Sequence, residues 1–307
     1  MRFGHELDLL LAQVPVGQVT TFGALAQALG DARAAVPVFR VLRRNRPPGW
    51  YRVVRRDGSL AFQRAAPPLE KEGVRLQGGR IRNFRKICFQ GFRSSRPLEA
   101  LREEQRSLAS QVVFEDRFDE LLSVAGFDVS YGDDRAYAAA VLLDWESLEV
   151  QQEIRLTVPV EFPYISTYLA YREFDAVARC FSLLEMAPSL LLVDGNGALH
   201  PHHLGVACYV GLKFDRPTIG VAKSLLTGRP DRVHLAPGES APVRMGGALA
   251  GHAFRPPSGK PIYVSPGHRV SADTALRLIR RLCRTRIPEP LRLADRAARR
   301  QRLSHEG

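Results

Sequence analysis

Two apolar runs in this chain each end in an aspartate, and this feature most restricts the folds that the chain can form. Leu190–Val193 leads into Asp194, which opens a glycine-rich turn. Val124–Phe127 leads into Asp128 in the same way. Short branched apolar runs that end at a turn predict strands buried in a sheet. Two aspartates at the ends of buried strands can bind one hard cation such as Mg²⁺, and such sites commonly act on phosphates. From the spacing alone, a turn-forming Asp194 and a solubilising Asp128 at a strand end remain the alternatives.

The positive charge of the chain is confined to its first third. The formal net charge is +12 over 307 residues, and residues 1–98 contain 18 Lys or Arg against 6 Asp or Glu. Residues 99–307 balance, with 26 basic and 26 acidic side chains. A basic domain beside a neutral domain with clustered acids predicts nucleic-acid binding beside metal chemistry. A solvated basic surface that maintains solubility is the alternative.

The cysteines and the apolar content exclude several classes of protein. The four cysteines are scattered without a Cys-x-x-Cys pair, so no zinc site or disulfide framework is predicted. No signal segment is recognised, and no run approaches the roughly 18 apolar residues of a membrane span. We therefore predict a cytoplasmic protein with no membrane partner, and the sequence identifies no protein partner.

The composition predicts two domains, 1–92 and 99–307, joined by a linker rich in Arg and Ser at 93–98. In the first domain, a helix that begins after Thr20–Thr21 is followed by a basic helix near 37–44, which is typical of a helix-turn-helix, winged-helix-like unit. The second domain is predicted to be an α/β mixed sheet with flanking helices, because three strands separated by short turns precede alternating helices and strands. The predicted elements are strands at 123–131, 136–144, 147–157, 190–194 and 217–221, and helices at 168–186, 203–213 and 271–284, the last being the final helix.

Seven short motifs of the second domain occur in an order that resembles the endonuclease V family of DNA repair nucleases. The resemblance covers about 99–294, and the motifs are Phe127–Ser130, Pro163–Ile165, Tyr171–Glu173, Val193–Gly197, His200–Pro201, Gly220–Lys223 and Gly267–Ser271. The resemblance implies a ribonuclease-H-like fold and cleavage of the second phosphodiester bond 3′ to inosine. It also implies dependence on Mg²⁺, with Mn²⁺ able to substitute, and inosine-containing DNA as the partner.

The resemblance also implies roles for individual residues. Asp128 and Asp194 are predicted to hold the metal, and the predicted catalytic residues are Asp128, Glu173, Asp194, Lys223 and His268. His200, Gly195 and Gly197 are predicted to contact DNA, the glycines because their backbone passes close to a flipped base. Asp273 is expected either to reach the metal or to cap the last helix. Asn196 and His202–His203 stand where the family commonly has histidine and arginines.

Tyr164 is predicted to contact DNA as a wedge, because the resemblance implies that it separates the strands beside the lesion. An aromatic residue that follows a proline is stiff and can enter a base stack. Ser166 stands where the family has a second proline, so this wedge is expected to be less rigid. A core tyrosine is the alternative from the sequence alone.

The first domain resembles the DNA-binding domain of O6-alkylguanine-DNA alkyltransferases over about 1–75. The resemblance rests on Val14–Gly23, Leu42–Asn45, Trp50–Val54 and Asp57–Leu60. Trp50 stands where that family has its reactive cysteine, so no alkyl acceptor is expected. Arg40, Arg43, Arg44 and Trp50 are predicted to contact DNA. Trp50 is expected either to line a pocket for O6-alkylguanine, to belong to a simple basic clamp, or to fill space. Val36 and Phe22 replace the family's intercalating arginine and its tyrosine.

Together these features predict a two-domain DNA repair endonuclease. Two other functions stay open at this point. The first is a non-catalytic sensor of DNA damage, which the complete set of acids argues against because a sensor needs no metal site. The second is an endonuclease that acts on inosine in RNA, which would depend on how the site treats the 2′-hydroxyl group.

Overall fold

The computed structural model describes residues 1–132 and 134–306, which divide into two compact units. The first unit comprises Met1–Glu104 with Glu161–Ser166, and the second comprises Gln105–Val160 and Thr167–Gly307. The linker predicted at 93–98 lies within the first unit, and the predicted domain boundaries stay predictions. Within the described residues, no helix combines the length and the apolar character that a membrane crossing requires.

The first unit is small and mainly helical, as predicted. Its elements are α1 (Phe3–Leu11), β1 (Thr20–Thr21), α2 (Phe22–Ala28), α3 (Ala35–Asn45), β2 (Val53–Val54), α4 (Ala66–Lys71), β3 (Leu76–Gln77), β4 (Arg80–Ile81) and α5 (Phe84–Ile87). The Thr21 hydroxyl accepts a hydrogen bond from the Ala24 amide at 3.1 Å and so caps α2. Helix α3 ends where Arg46 adopts a left-handed conformation. The pair α2 and α3 is the predicted helix-turn-helix, and the antiparallel pair β3–β4 follows it.

The second unit is built on one nine-stranded mixed sheet, which confirms the predicted α/β class. After α6 (Pro97–Ala109) its elements are β5 (Ser123–Tyr131), β6 (Arg135–Asp144), β7 (Val150–Pro159), α7 (Leu169–Ser182), β8 (Leu190–Asp194), α8 (Val206–Phe214), β9 (Thr218–Ala222), β10 (Arg229–Pro230), β11 (Ser240–Met245), β12 (Ala248–Phe254), β13 (Ile262–His268), α9 (Ala272–Leu282) and α10 (Glu289–Glu306). The strand order is β10-β11-β12-β13-β9-β8-β5-β6-β7. Strands β5, β8 and β9 run parallel at the centre, and the other pairs are antiparallel.

The two faces of the sheet bury alternate residues of β5, which fixes the direction of every side chain on that strand. Val124 lies in a core with residues of α9 and α10, whereas Phe127 lies in a core with residues of α7 and α8. Gly126 permits a close approach by α10, because a β-carbon there would lie 2.3 Å from the Pro290 carbonyl carbon. Asp128 follows Phe127, so its side chain lies on the α10 side of the sheet.

Helix α10 shows that the prediction of 271–284 as the final helix was wrong. The helix is rich in arginine, and its buried face consists of Leu291 with three alanines, Ala294, Ala297 and Ala298. Such small residues give a weak hydrophobic period, so the pattern does not stand out in the sequence. Strands β10, β11, β12 and β13 were not predicted either.

The N-cap of α9 is Ser271, and neither expected role of Asp273 is observed. The Ser271 hydroxyl accepts a hydrogen bond from the Thr274 amide at 3.3 Å. The Asp273 carboxylate accepts a hydrogen bond from His252 Nε2 at 2.9 Å instead. Serine at this position makes a second capping side chain unnecessary.

Candidate active site

Asp128, Asp194 and Lys223 meet at one edge of the central parallel strands. Phe127 pairs with Val193 in the β5–β8 register, so Asp128 and Asp194 are neighbours across the two strands. Their carboxyl groups are close enough for Asp194 to raise the pKa of Asp128. Lys223 follows the last residue of β9, and its Nζ lies 2.5 Å from Asp194 Oδ2. The structure therefore brings together three residues that the sequence analysis placed in one site.

The electrostatics of this cluster show an excess of negative charge. Burial raises the pKa of Asp128, and the neighbouring charge of Asp194 raises it further. For Lys223, burial lowers the pKa, but the charges of Asp194 and Asp128 outweigh burial and raise the pKa above its usual range. Both pKa shifts indicate that the negative charge of the acids exceeds the positive charge around them.

Glu173 lies on α7 and is held by Tyr131 at the end of β5. The Tyr131 hydroxyl donates a hydrogen bond to Glu173 Oε1 at 3.1 Å, and the Arg172 guanidinium carbon lies 3.9 Å from the centre of the Tyr131 ring. Burial raises the pKa of Glu173 to about 8, against the effect of the Tyr131 hydrogen bond, and the charges of Asp128 and Asp194 act in the same direction as burial. Glu173 therefore belongs electrostatically to the same cluster.

Asp295 on α10 is a fourth acid of this cluster that the sequence analysis missed. Its charge raises the pKa values of Asp128 and Lys223, and α10 packs closely against β5 at Gly126. Arg299, one turn along the helix, pairs with Asp295 at 3.1 Å. An acid between buried alanines of an arginine-rich helix was the signal that could have identified it.

The donor set of this cluster fits a divalent cation. Burial and the charges of neighbouring acids raise the pKa values of Asp128 and Glu173, so their ionisation is unfavourable unless a cation is added. Among residues 1–132 and 134–306, no three His, Cys, Asp or Glu side chains are already arranged at metal-ligand spacing. One oxygen of Asp194 is bonded to Lys223, so a cation would share this carboxylate with the lysine or displace it.

The structure does not bring His268 to the acidic cluster. His268 pairs with Thr218 in the β13–β9 register, whereas Lys223 follows the opposite end of β9, roughly 13 Å along the strand. His268 Nδ1 accepts a hydrogen bond from the Val113 amide, and its Nε2 lies 3.5 Å from Asp215 Oδ1. The predicted catalytic role of His268 therefore has no support from its position.

His200 lies in the turn that follows β8, and it is only 3% exposed. Its Nε2 lies 3.0 Å from the Thr167 carbonyl oxygen, and its Nδ1 accepts a hydrogen bond from the His202 amide at 3.2 Å. Both ring nitrogens are engaged by backbone groups, which is typical of a histidine that orders a turn. Its contact with DNA stays a prediction.

Gly195 and Gly197 serve close packing inside the protein. A β-carbon at Gly195, whose φ is +150°, would lie 2.4 Å from Val206 Cγ1. At Gly197 it would lie 2.1 Å from the Pro266 carbonyl oxygen. The glycines therefore let the Asp194 turn fit against α8 and β13. Approach of a base to the same turn stays a prediction.

In the first unit, the three predicted arginines lie on the outer face of α3. Arg40, Arg43 and Arg44 are exposed, whereas Val38 and Leu42 on the opposite face are fully buried. An exposed basic face on the second helix of a helix-turn-helix is suited to contact a phosphate backbone.

Trp50 is half-buried at the edge of an aromatic cluster. Its ring packs edge-to-face against Phe62 at 5.5 Å, and Phe62 stacks on Phe39 at 5.4 Å. The Arg46 guanidinium lies 5.7 Å from the Trp50 ring centre. These contacts account for a packing role, and the exposed part of the ring leaves the pocket and clamp interpretations open.

Tyr164 belongs to the segment Glu161–Ser166, which packs with the first unit. Its side chain is exposed, at 54% of the maximum, whereas Phe162 and Ile165 on either side are buried. A core tyrosine is therefore excluded. The ring is thus an exposed aromatic between two buried anchors, and its role as a wedge stays a prediction.

Two family models match this chain in consecutive regions. The Endonuclease V model matches residues 106–296, and the model of the 6-O-methylguanine DNA methyltransferase DNA-binding domain matches residues 3–78. Both sequence resemblances are thereby confirmed. The second model describes the DNA-binding domain alone, in agreement with the helix-turn-helix of the first unit.

Relatives and solved structures agree with these matches. A bifunctional methyltransferase/endonuclease of Picrophilus torridus is 35% identical over 293 residues, which cover 93% of this chain and 92% of that protein. The catalytic domain of human endonuclease V has a TM-score of 0.65 at 33% identity, covering 70% of this chain and 99% of the other. Endonuclease V of Ciona intestinalis, in complex with DNA that contains inosine followed by ribo-adenosine, has a TM-score of 0.62 at 28% identity, covering 67% and 98%.

Proposed function

Because this chain belongs to the endonuclease V family of DNA endonucleases, we propose that it cleaves the second phosphodiester bond 3′ to deoxyinosine. The observation that carries the proposal is the cluster of Asp128, Asp194 and Lys223 at the edge of the parallel strands. Buried acids without matching positive charge destabilise the fold, so a functional reason for them is expected. Phosphodiester hydrolysis supplies that reason, because it needs acids that can bind a metal ion. The inosine that the Ciona intestinalis neighbour binds, in DNA where a ribo-adenosine follows it, supports inosine as the base that is recognised.

The family depends in general on a divalent metal, and we assign Mg²⁺ to this chain, with Mn²⁺ able to substitute. Asp128, Asp194 and Asp295 would hold the ion. When bound, it supplies charge neutralisation on the scissile phosphate and lowers the pKa of a coordinated water. The Lys223 ammonium stabilises negative charge that develops on the phosphate or on the leaving oxygen. Glu173 has its pKa raised to about 8 in the metal-free protein, so it keeps a proton at neutral pH; it would accept a proton from the attacking water only once a bound cation offsets the charges of Asp128 and Asp194.

The first unit binds DNA without transferring an alkyl group. Arg40, Arg43 and Arg44 contact the phosphate backbone from the exposed face of α3. Trp50 supplies no thiolate, so this module differs in chemistry from what the name of the Picrophilus torridus relative describes. O6-alkylguanine is the candidate base ligand beside Trp50.

An incision assay on end-labelled duplexes tests the proposal. The duplexes carry inosine, O6-methylguanine or neither, and each is incubated with Mg²⁺, with Mn²⁺ and with a chelator. We expect incision only of the inosine duplex and only with metal, with a 3′-hydroxyl end at the second bond beyond the lesion. Recovery of unchanged O6-methylguanine from the DNA checks that no methyl group is transferred.

Two outcomes would contradict the proposal. Tight binding of damaged duplex with no incision under any metal condition would support a sensor. Faster incision of the matched inosine-containing RNA than of DNA would support an endoribonuclease, because only RNA carries the 2′-hydroxyl.

A further inference from the structure

Residues 161–166 are part of the nuclease in sequence but part of the DNA-binding unit in packing. The endonuclease V model matches residues 106–296, which include them. Their contacts nevertheless assign Glu161–Ser166 to the unit formed by Met1–Glu104. The chain therefore leaves the nuclease fold after Val160 and returns at Thr167.

The contacts of this segment within the first unit are made by the start of α1. The Phe3 amide donates a hydrogen bond to the Glu161 carbonyl oxygen at 3.3 Å. The rings of Phe3 and Phe162 pack edge-to-face with their centres 6.0 Å apart, and both side chains are buried. The Arg2–Glu161 ion pair at 3.5 Å is well exposed and adds little. A buried aromatic pair with a backbone hydrogen bond is a specific anchor.

This anchor matters because of the residue it precedes. Tyr164 lies two residues after Phe162 and is exposed, and Ser166 gives the segment no second proline to stiffen it. A flexible aromatic side chain loses conformational entropy when it enters a base stack, whereas a segment fixed in advance loses less.

We propose that α1 of the DNA-binding unit positions Tyr164, so that the fused module assists strand opening beside the lesion as well as binding. Phe3 is the positioning residue, and it acts through Phe162 without contacting DNA. This inference rests on the proposed incision of inosine-containing duplex and on the predicted entry of Tyr164 into that duplex.

Hydrogen exchange of the full-length protein without DNA tests the anchor separately from the function. Phe3→Leu and Phe3→Ala remove the aromatic pair, and Leu9→Ala, at an exposed position of the same helix, is the control. We expect exchange of the amides of 161–166 to rise roughly twofold to tenfold in the Phe3 variants, the equivalent of one aromatic pair. Leu9→Ala should leave this exchange near the wild-type rate. An unchanged rate in both Phe3 variants overturns the anchor.

The ratio of incision rates on duplex and single-stranded inosine DNA tests whether the anchored Tyr164 assists strand opening. Tyr164→Ala should lower this ratio roughly fivefold or more, because stacking on one base contributes at that level. Phe3→Ala should lower it in the same direction, and the double variant should lose no more than Tyr164→Ala alone, since both changes affect one step. Tyr164→Phe, which keeps the ring, should retain the ratio.

The outcomes distinguish the strand-opening role of Tyr164 from the positioning role of Phe3. If Tyr164→Ala leaves the ratio unchanged, the strand-opening role of Tyr164 fails, while hydrogen exchange still decides whether α1 holds the segment. If Tyr164→Ala lowers the ratio but Phe3→Ala does not, the proposed function stands and the positioning role of Phe3 is overturned. Additive losses in the double variant also overturn it, because Phe3 would then act elsewhere.

Discussion

Glu72 of the first unit and Glu173 of the second unit are both mostly buried, but their surroundings shift their pKa values in opposite directions. Glu72 accepts hydrogen bonds from the Tyr51 hydroxyl at 2.7 Å, from the Arg52 guanidinium and from the Gly17 amide at 3.2 Å. Burial raises its pKa, but the bonds from Arg52 and Tyr51 outweigh burial and lower the pKa below its ordinary value of 4.5. Glu173 has the Tyr131 hydroxyl beside other acids, and its pKa rises to about 8.

Whether a carboxylate has a positively charged partner in the fold distinguishes a structural acid from a functional acid. A carboxylate whose charge is matched by a guanidinium stabilises the fold and has no capacity left for a ligand. Carboxylates that share one lysine repel one another within the fold. Binding of a cation or of a proton therefore stabilises such a group more than it stabilises a carboxylate that is already paired. The DNA-binding unit carries the first type beside its basic surface, and the nuclease unit carries the second.

Asp194→Asn gives the largest expected effect. It removes one carboxylate from the cluster and the partner of Lys223, so metal-dependent incision of inosine DNA should fall by at least about a hundredfold, whereas DNA binding is retained. Gel-based incision and binding assays on the same duplex check both statements. Asp231→Asn, at an exposed aspartate paired with Arg244, is the matched control and should cut at the wild-type rate. Substantial Mg²⁺-dependent cutting by Asp194→Asn would remove the metal assignment.

Glu173→Gln should change how the free energy of unfolding depends on pH. The folded-state pKa of Glu173 is raised, so between about 4.5 and about 8 the folded protein keeps a proton that the unfolded chain has released. The free energy of unfolding of the metal-free protein should therefore fall as pH rises through this window, by up to about 1.4 kcal/mol per pH unit. Denaturant unfolding in a chelator should show a weaker pH dependence for Glu173→Gln. Identical slopes would mean that Glu173 is ionised in the folded protein like an ordinary glutamate.

Glu72→Gln should have the opposite pH signature and a smaller effect. Because the pKa of Glu72 is lowered, its stabilisation is present above the unfolded value of 4.5 and is lost as pH falls through the folded value. At neutral pH the substitution should lower the free energy of unfolding by about 2 kcal/mol, since Arg52 loses its charged partner. The exposed neighbour Glu70→Gln is the control. A loss of incision on single-stranded inosine DNA without a loss of stability would break the proposed division between the two acids.

Substitution of Arg40, Arg43 and Arg44 by alanine should have the smallest effect per residue. Each arginine that neutralises a phosphate contributes about 0.9 to the slope of log affinity against log salt on duplex DNA. We expect the triple variant to bind undamaged duplex more weakly and with a shallower slope, while its incision at saturating enzyme stays unchanged. A salt titration of affinity measures this. An unchanged slope would show that the basic face of α3 does not contact the backbone.

The sequence predicted the central strands of the nuclease unit well, because their residues are strongly apolar and end at turns. Strand 190–194 was predicted to the residue, and β5 likewise. Helix α10 and Asp295 escaped prediction because alanines among arginines carry a weak periodic signal. His268 was placed in the site from its motif, but a motif gives the residue type and order, and only the antiparallel register of β13 with β9 decides at which end of the strand it lies.

Residue types and their local spacing were enough to establish the two families, the confinement of positive charge to residues 1–98 and the aspartates at the ends of apolar strands. The tertiary structure alone decided which acids share charge, since repulsion among Asp128, Glu173, Asp194 and Asp295 depends on distances between elements far apart in the chain. It also decided that Glu161–Ser166 packs against α1, because burial of Phe162 against Phe3 joins residues that no local pattern connects.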